Sequence, residues 1–181
     1  MDERLKPFLT EVEKPARYIG GEYNTPDMLK ACSVRFCLCF TDLYEVGMSN
    51  LGIAILYDVL NSAEGIVCER CFAPWTDMGK VLKDNKIPLS SIETGRKLKN
   101  FDIVGFSVPY EMSYTNILYM LDLAEIPFRA KDRGAEYPLI VGGGPASANP
   151  EPIIDFFDAF FIGEGEETDL AFCRIVEKYK G

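Results

Sequence analysis

No histidine occurs among the 181 residues. That absence closes the Ser-His-Asp triad, the Cys-His dyad and the usual general base near neutral pH, and it removes the commonest metal ligand. Basic residues are outnumbered by acidic ones, 19 to 28, for a net charge of −9. A surface of that sign disfavours non-specific binding to nucleic acid or an anionic membrane. No apolar run reaches the ~18 residues of a membrane-spanning helix. The most apolar late stretch, 153–162, is broken by Asp155 and Asp158. The amino terminus, MDERLKPFLTEVEK, is charged and lacks the apolar core of a signal peptide. The expected location is therefore the cytoplasm. The six cysteines do not suggest a disulfide framework, and several lie inside apolar runs. No CxxxCxxC triplet is present.

Apolar residues at 48% and charged residues at 26% are the composition of a globular domain and argue against disorder. Residues 1–30 read as an arm, with Pro7, Pro15, Pro26, the Gly20-Gly21 pair and many charges. A short helix near 2–13 is expected there, packed weakly on the rest. From 31 to 181 the pattern alternates. SVRFCLCF (33–40) reads as a buried strand, followed by a polar loop (41–50) and by LGIAILYDVLNS (51–62) at helical spacing. Strands are expected at 66–72, 101–108, 139–141 and 159–162, with a minor one at 90–93. Helices are expected at 75–83, 114–125, 152–157 and 168–180. Such alternation predicts a Rossmann-like (flavodoxin-like), doubly wound, mostly parallel five-stranded sheet in three α/β/α layers. Ligands of such sheets sit outside the carboxyl ends of the strands, so the loops there are the candidate site.

Four loops fall at those ends: Asp42-Leu43-Tyr44-Glu45-Val46-Gly47, Val108-Pro109-Tyr110-Glu111, Gly142-Gly143-Gly144-Pro145 and Gly163-Glu164-Gly165-Glu166-Glu167. Glycine lets backbone lie against a flat or phosphorylated ligand, although it also makes plain strand-to-helix turns. Glu166 and Glu167 are expected near a helix N-terminus, where negative charge is stabilising. Cys37 and Cys39 share one face of the first strand, and Cys68 and Cys71 form a CxxC by the second. Four thiolates could meet around zinc if those strands are neighbours, but buried free cysteines are the commoner reading. No metal site is assigned.

The residues resemble the cobalamin-binding domain found in front of radical S-adenosylmethionine (radical SAM) enzymes. GGGPASANPEPIIDFFDAFFIGEGEE (142–167) is similar to the GGPHA…P…D…GEGE signature of those proteins. RYIGGEYN, YEVGMSNLGIAILYDVLN, ERCFAPWTDM and FDIVGFSVPYEMSYTNILYMLDLAEIP resemble the N-terminal region of one radical SAM subgroup of unsettled function. The resemblance runs from Arg17 to Glu167. It implies cobalamin-facing residues at Asp42, Tyr44, Gly47, Ser107, Gly142, Gly143, Gly144, Glu164 and Gly165. It also implies a catalytic radical SAM domain beyond Gly181, carrying the CxxxCxxC, a [4Fe-4S] cluster and S-adenosylmethionine. This chain would dock against that domain, shield it and have no activity alone. One departure stands out: cobalamin domains carry DxHxxG, whose histidine ligates cobalt, and here the spacing reads Asp42-x-Tyr44-x-x-Gly47. Tyrosine stays protonated near neutral pH and is a poor cobalt ligand. The alternative reading is a docking module that binds no cofactor, which a 141–150 loop folded shut by Pro145 and Pro150 would favour. A flavin or nucleotide domain is disfavoured, because no phosphate loop follows the first strand.

Overall fold

The computed structural model describes residues 2–23 and 25–180; Met1 and Asn24 of the arm and its related motif, and Gly181, lie outside them. Five strands form one sheet in the order β2-β1-β3-β4-β5, every pair parallel: β1 Val34–Phe40, β2 Ile66–Phe72, β3 Ile103–Ser107, β4 Leu139–Gly143 and β5 Ala159–Phe160. The sequence pattern predicts this fold because β1 and β3 are near-continuous apolar runs, the mark of strands covered on both faces. Five α-helices connect or follow them: α1 Tyr44–Met48, α2 Leu51–Ser62, α3 Thr76–Asp84, α4 Tyr114–Leu123 and α5 Gly165–Tyr179.

Side chains alternate along each strand, so the two faces build separate cores. On one face Cys37, Cys39, Cys71, Val104 and Phe106 meet Met78 of α3 and Ile117 and Leu121 of α4. On the other, Val34, Phe36, Leu38 and Ile103 meet Ile53 and Leu60 of α2 and Cys173 of α5. Cys68 belongs to this second face, opposite Cys37, Cys39 and Cys71, so the four thiols do not converge. Among the described residues no group of three or more His, Cys, Asp or Glu is placed to hold a metal ion. Nor, among them, is any helix long and apolar enough to cross a membrane.

Several local expectations change. The 41–50 loop contains the short helix α1. Residues 90–93 make a single antiparallel bridge, Ser90 to Lys97, rather than a strand. This segment covers the exposed edge of β2, with Ile92 N–H donating to Arg70 O at 2.9 Å; blocking an edge in this way prevents pairing with other chains. Two charges in mid-strand explain its path. Glu69, fully buried, accepts from Ser91 Oγ at 2.7 Å and Thr94 Oγ1 at 2.6 Å. Arg70 donates to Glu93 through Nε and its backbone N–H, both at 2.7 Å, and lies 4.0 Å over the Tyr57 ring.

The arm also packs more closely than its composition suggests. A 3-10 helix, Glu3–Glu11, is capped by Asp2, which accepts from Arg4 N–H at 3.0 Å. Leu5 and Val12 enter the core beside α3. Arg17 is buried and pairs with Glu45 of α1 at 2.9 Å. Prolines set the path of this segment without preventing its burial, because its apolar residues find the flank of α3.

Candidate functional site

The sheet order places a switch point between β1 and β3. The chain leaves β1 toward β2 and leaves β3 toward β4, so the loops diverge and open a crevice at the strand ends. A cleft of about 360 Å³ occupies this place, between the sheet and helices α2 and α5. Its walls are apolar, from Phe36, Leu38, Leu56, Val141 and Phe161, and glycine, from Gly143, Gly144 and Gly163. A Cβ on Gly143 would meet nothing nearer than Phe161 O at 4.0 Å, so backbone is bare to the cleft there. Gly144 has a φ of +96°, and a Cβ on it would lie 3.0 Å from Val108 O. Both the left-handed conformation and the close approach require glycine at that position. The turn that follows is tied to the loop after β3 and to α4: Ala146 N–H donates to Val108 O at 3.2 Å and Tyr114 Oη to Ala146 O at 3.3 Å. Pro145 lines the cleft beside Gly144, and Pro150 does not reach it.

Of the residues singled out from sequence, Ser107, Gly143, Gly144, Glu164 and Gly165 line this cleft. The others lie elsewhere. Gly142 faces the opposite side, where an added Cβ would sit 2.9 Å from Phe160. Asp42 accepts from Tyr110 Oη and from Leu43 N–H, the latter at 2.7 Å, bridging the loops after β1 and β3. Tyr44 turns toward β2. Its hydroxyl donates to Glu22 Oε1 at 2.6 Å and its ring meets Phe72 edge-on at 5.5 Å. Burial and the Glu22 carboxylate push the phenol up to about 12, so it stays protonated. Gly47 packs under Phe72, whose ring would be 2.3 Å from an added Cβ. Gly47→Ala is therefore expected to lower stability by about 1–3 kcal/mol through overpacking, with ligand affinity unchanged; urea unfolding beside a binding assay checks both.

Asp169 lies in the cleft wall and was not anticipated. It sits on α5, one turn inside the helix, and is 6% exposed. No hydrogen bond or ion pair reaches its carboxylate among the described residues. Burial and the neighbouring Glu166 raise its pKa to about 7. With Cys173 it makes the buried stripe of α5. An acidic residue in the apolar stripe of an amphipathic helix is the sequence signal that could have found it. The cleft carries Glu164, Glu166 and Asp169 and no lysine or arginine. Nothing in its wall would balance a phosphate.

The arrangement is that of an α/β domain with a glycine-walled, largely apolar cleft at its topological switch point. Residues 52–181 match the family model described as radical SAM proteins, N-terminal, and the chain belongs to that family. It is also 30% identical over 121 residues to an uncharacterized protein of Methanocaldococcus jannaschii, MJ0966. That match covers 65% of this chain and 25% of the relative, so the chain spans about a quarter of the length of the protein it resembles.

For cobalamin, the residues divide. The bare backbone at Gly143, the glycine at 163 and the unpartnered Asp169 suit a planar, mostly apolar group in the cleft. Tyr44, protonated and tied to Glu22, does not suit the place of an axial cobalt ligand.

Proposed function

We propose that this chain is the cobalamin-binding-like domain of a larger radical SAM protein, with only the planar base of a corrin's tail in the cleft, the tail's phosphodiester outside in solvent, and no axial ligand from Tyr44. The open, glycine-walled cleft at the switch point is the observation that carries this reading. Affinity for such a group comes mostly from buried area and fit, so one missing axial bond leaves the main term intact. Ser107, Gly143, Gly144, Gly165 and Asp169 would border the bound group, while Tyr44, Gly47 and Gly142 keep the loops packed. Bound cobalamin supplies a cobalt centre for the chemistry of the catalytic domain. The [4Fe-4S] cluster and S-adenosylmethionine belong to that domain in this reading.

The rim of the cleft supports a docking role beside the ligand role. Leu51, Met112 and Ile162, at 73, 88 and 65% exposure, stand at the carboxyl edge of the sheet. Each follows the carboxyl end of a strand, β1, β3 or β5, the side on which the cleft opens. The catalytic domain would sit over them and close the cleft from water.

Equilibrium dialysis of this chain against hydroxocobalamin tests the ligand reading. Binding is expected at tens of micromolar, about −6 kcal/mol. Gly143→Leu should weaken it by at least about tenfold, or 1.4 kcal/mol, with the melting temperature unchanged, since Gly143 lies outside the left-handed region and has room for a side chain. Retention of no corrin by the wild type would replace this reading with a docking module that binds no cofactor.

A further inference from the structure

We propose that Asp169 is the specificity-determining group of the cleft, its carboxyl hydrogen-bonding the ring nitrogen of a planar nitrogen heterocycle. The inference rests on the ligand reading above and names the chemical class that the cleft selects. Asp169 is nine-tenths buried, has no hydrogen-bonding partner among the described residues, and lines the cleft beside Gly165, where an added Cβ would lie 3.5 Å from its Oδ2. The walls around it, Phe36, Leu38, Leu56 and Val141, are the apolar surfaces that suit a flat ring.

The electrostatics select the protonation state and the ligand together. The ionisable groups near Asp169 are Glu166 and Cys173 on its own helix, Glu164 in the turn before it and Cys68 on β2. All are acids. Helix α2 and its N-cap Asn50 line the cleft with Asn50, Gly52 and Leu56, and β1, β3 and β4 contribute no ionisable side chain to it. No cation holds Asp169 ionised. With its pKa at about 7, much of the population is the neutral acid at neutral pH. A neutral carboxyl has one O–H donor, which matches an unprotonated ring nitrogen, an acceptor. Phosphates and carboxylates are repelled by the same set.

The test is a pair of probes that differ at one ring atom: 5,6-dimethylbenzimidazole, with the acceptor nitrogen, and 5,6-dimethylindole, with C–H in its place. Each is titrated into this chain by NMR, with wild type, Asp169→Asn and Asp169→Leu, and hydroxocobalamin is dialysed against the same three proteins. Wild type is expected to bind the benzimidazole at least tenfold more tightly than the indole, because a site built to hydrogen-bond rejects the analogue that lacks the group. Asp169→Leu should erase that difference. Asp169→Asn, whose amide still donates, should keep most of it. Equal binding of both probes to wild type overturns the inference and leaves the cleft reading standing. Failure of wild type to bind either probe or hydroxocobalamin overturns the cleft reading itself. Circular dichroism melting of each variant distinguishes lost binding from lost fold.

Discussion

Arg70→Met is expected to destabilise the protein by roughly 3–5 kcal/mol in urea unfolding at pH 7. The side chain of Arg70 is 9% exposed and that of Glu93 is 1% exposed, so their ion pair is buried. Burial raises the Glu93 pKa, and Arg70 opposes that shift. Taking away the guanidinium removes two things at once. Glu93 loses its counter-charge in a place where an uncompensated charge is costly. The ring of Tyr57 loses the cation lying 4.0 Å above it. The damage extends beyond one pair, since Glu93 ties the 87–97 segment to the edge strand β2. The matching double variant, Arg70→Met with Glu93→Leu, should recover most of the loss, because replacing a buried pair by apolar groups of similar volume is often neutral or stabilising. A single-variant loss below about 1 kcal/mol would mean that water reaches the pair and screens it.

The Arg70–Glu93 pair also shows where a sequence reading stops. Strands β1 and β3 are legible because their apolar runs, VRFCLCF and IVGFS, need no partner to be recognised. Their parallel arrangement follows from the helices between them. The covering of β2 by 87–97 was not legible, because it depends on Glu69 and Arg70 finding Ser91, Thr94 and Glu93 some twenty residues later. Strand β5 is two residues long rather than four: after Phe160 the chain makes one more bond, Phe161 N–H to Gly142 O at 2.8 Å, and leaves the sheet. An apolar run such as AFFI does not record where its pairing ends.

The site divides in the same way. Ser107, Gly143, Gly144, Glu164 and Gly165 come together because all of them end or follow parallel strands, a consequence of topology that sequence order predicts. Asp42, Tyr44 and Gly47 follow a strand too, yet their loop folds toward β2. Gly47 allows this by fitting under Phe72, and Tyr44 is drawn to Glu22 of the arm. Those are contacts between segments set apart by sequence as separate, and they hold Tyr44, a candidate through the resemblance, against Glu22 and Phe72 rather than in the cleft wall. Asp169 lies beyond the loop, on the helix, and its position in the wall depends on the angle at which α5 crosses the sheet.

Asp169→Asn is expected to raise stability at pH 8 and leave it nearly unchanged at pH 4. The folded state holds the Asp169 carboxyl at about 7 through burial and Glu166. The unfolded chain holds it near 3.9. Between these values the folded protein binds the proton that the unfolded chain releases, so stability falls as pH rises from about 4 to about 7 and is level above that. Three units at about 1.4 kcal/mol each give about 4 kcal/mol as an upper bound on the difference at pH 8. The asparagine, neutral at every pH, lacks this slope. Urea unfolding of both proteins at pH 4, 6 and 8 checks the curve. Parallel curves for wild type and variant would mean that Asp169 is ionised and solvated, and that the cleft is wetter than its apolar walls suggest. A rising gap would show that the fold carries a charge-burial cost at the cleft that a ligand able to accept the proton's hydrogen bond can relieve. Stabilisation by such a ligand should then be greatest where Asp169 is neutral, below pH 7, and should vanish in Asp169→Leu.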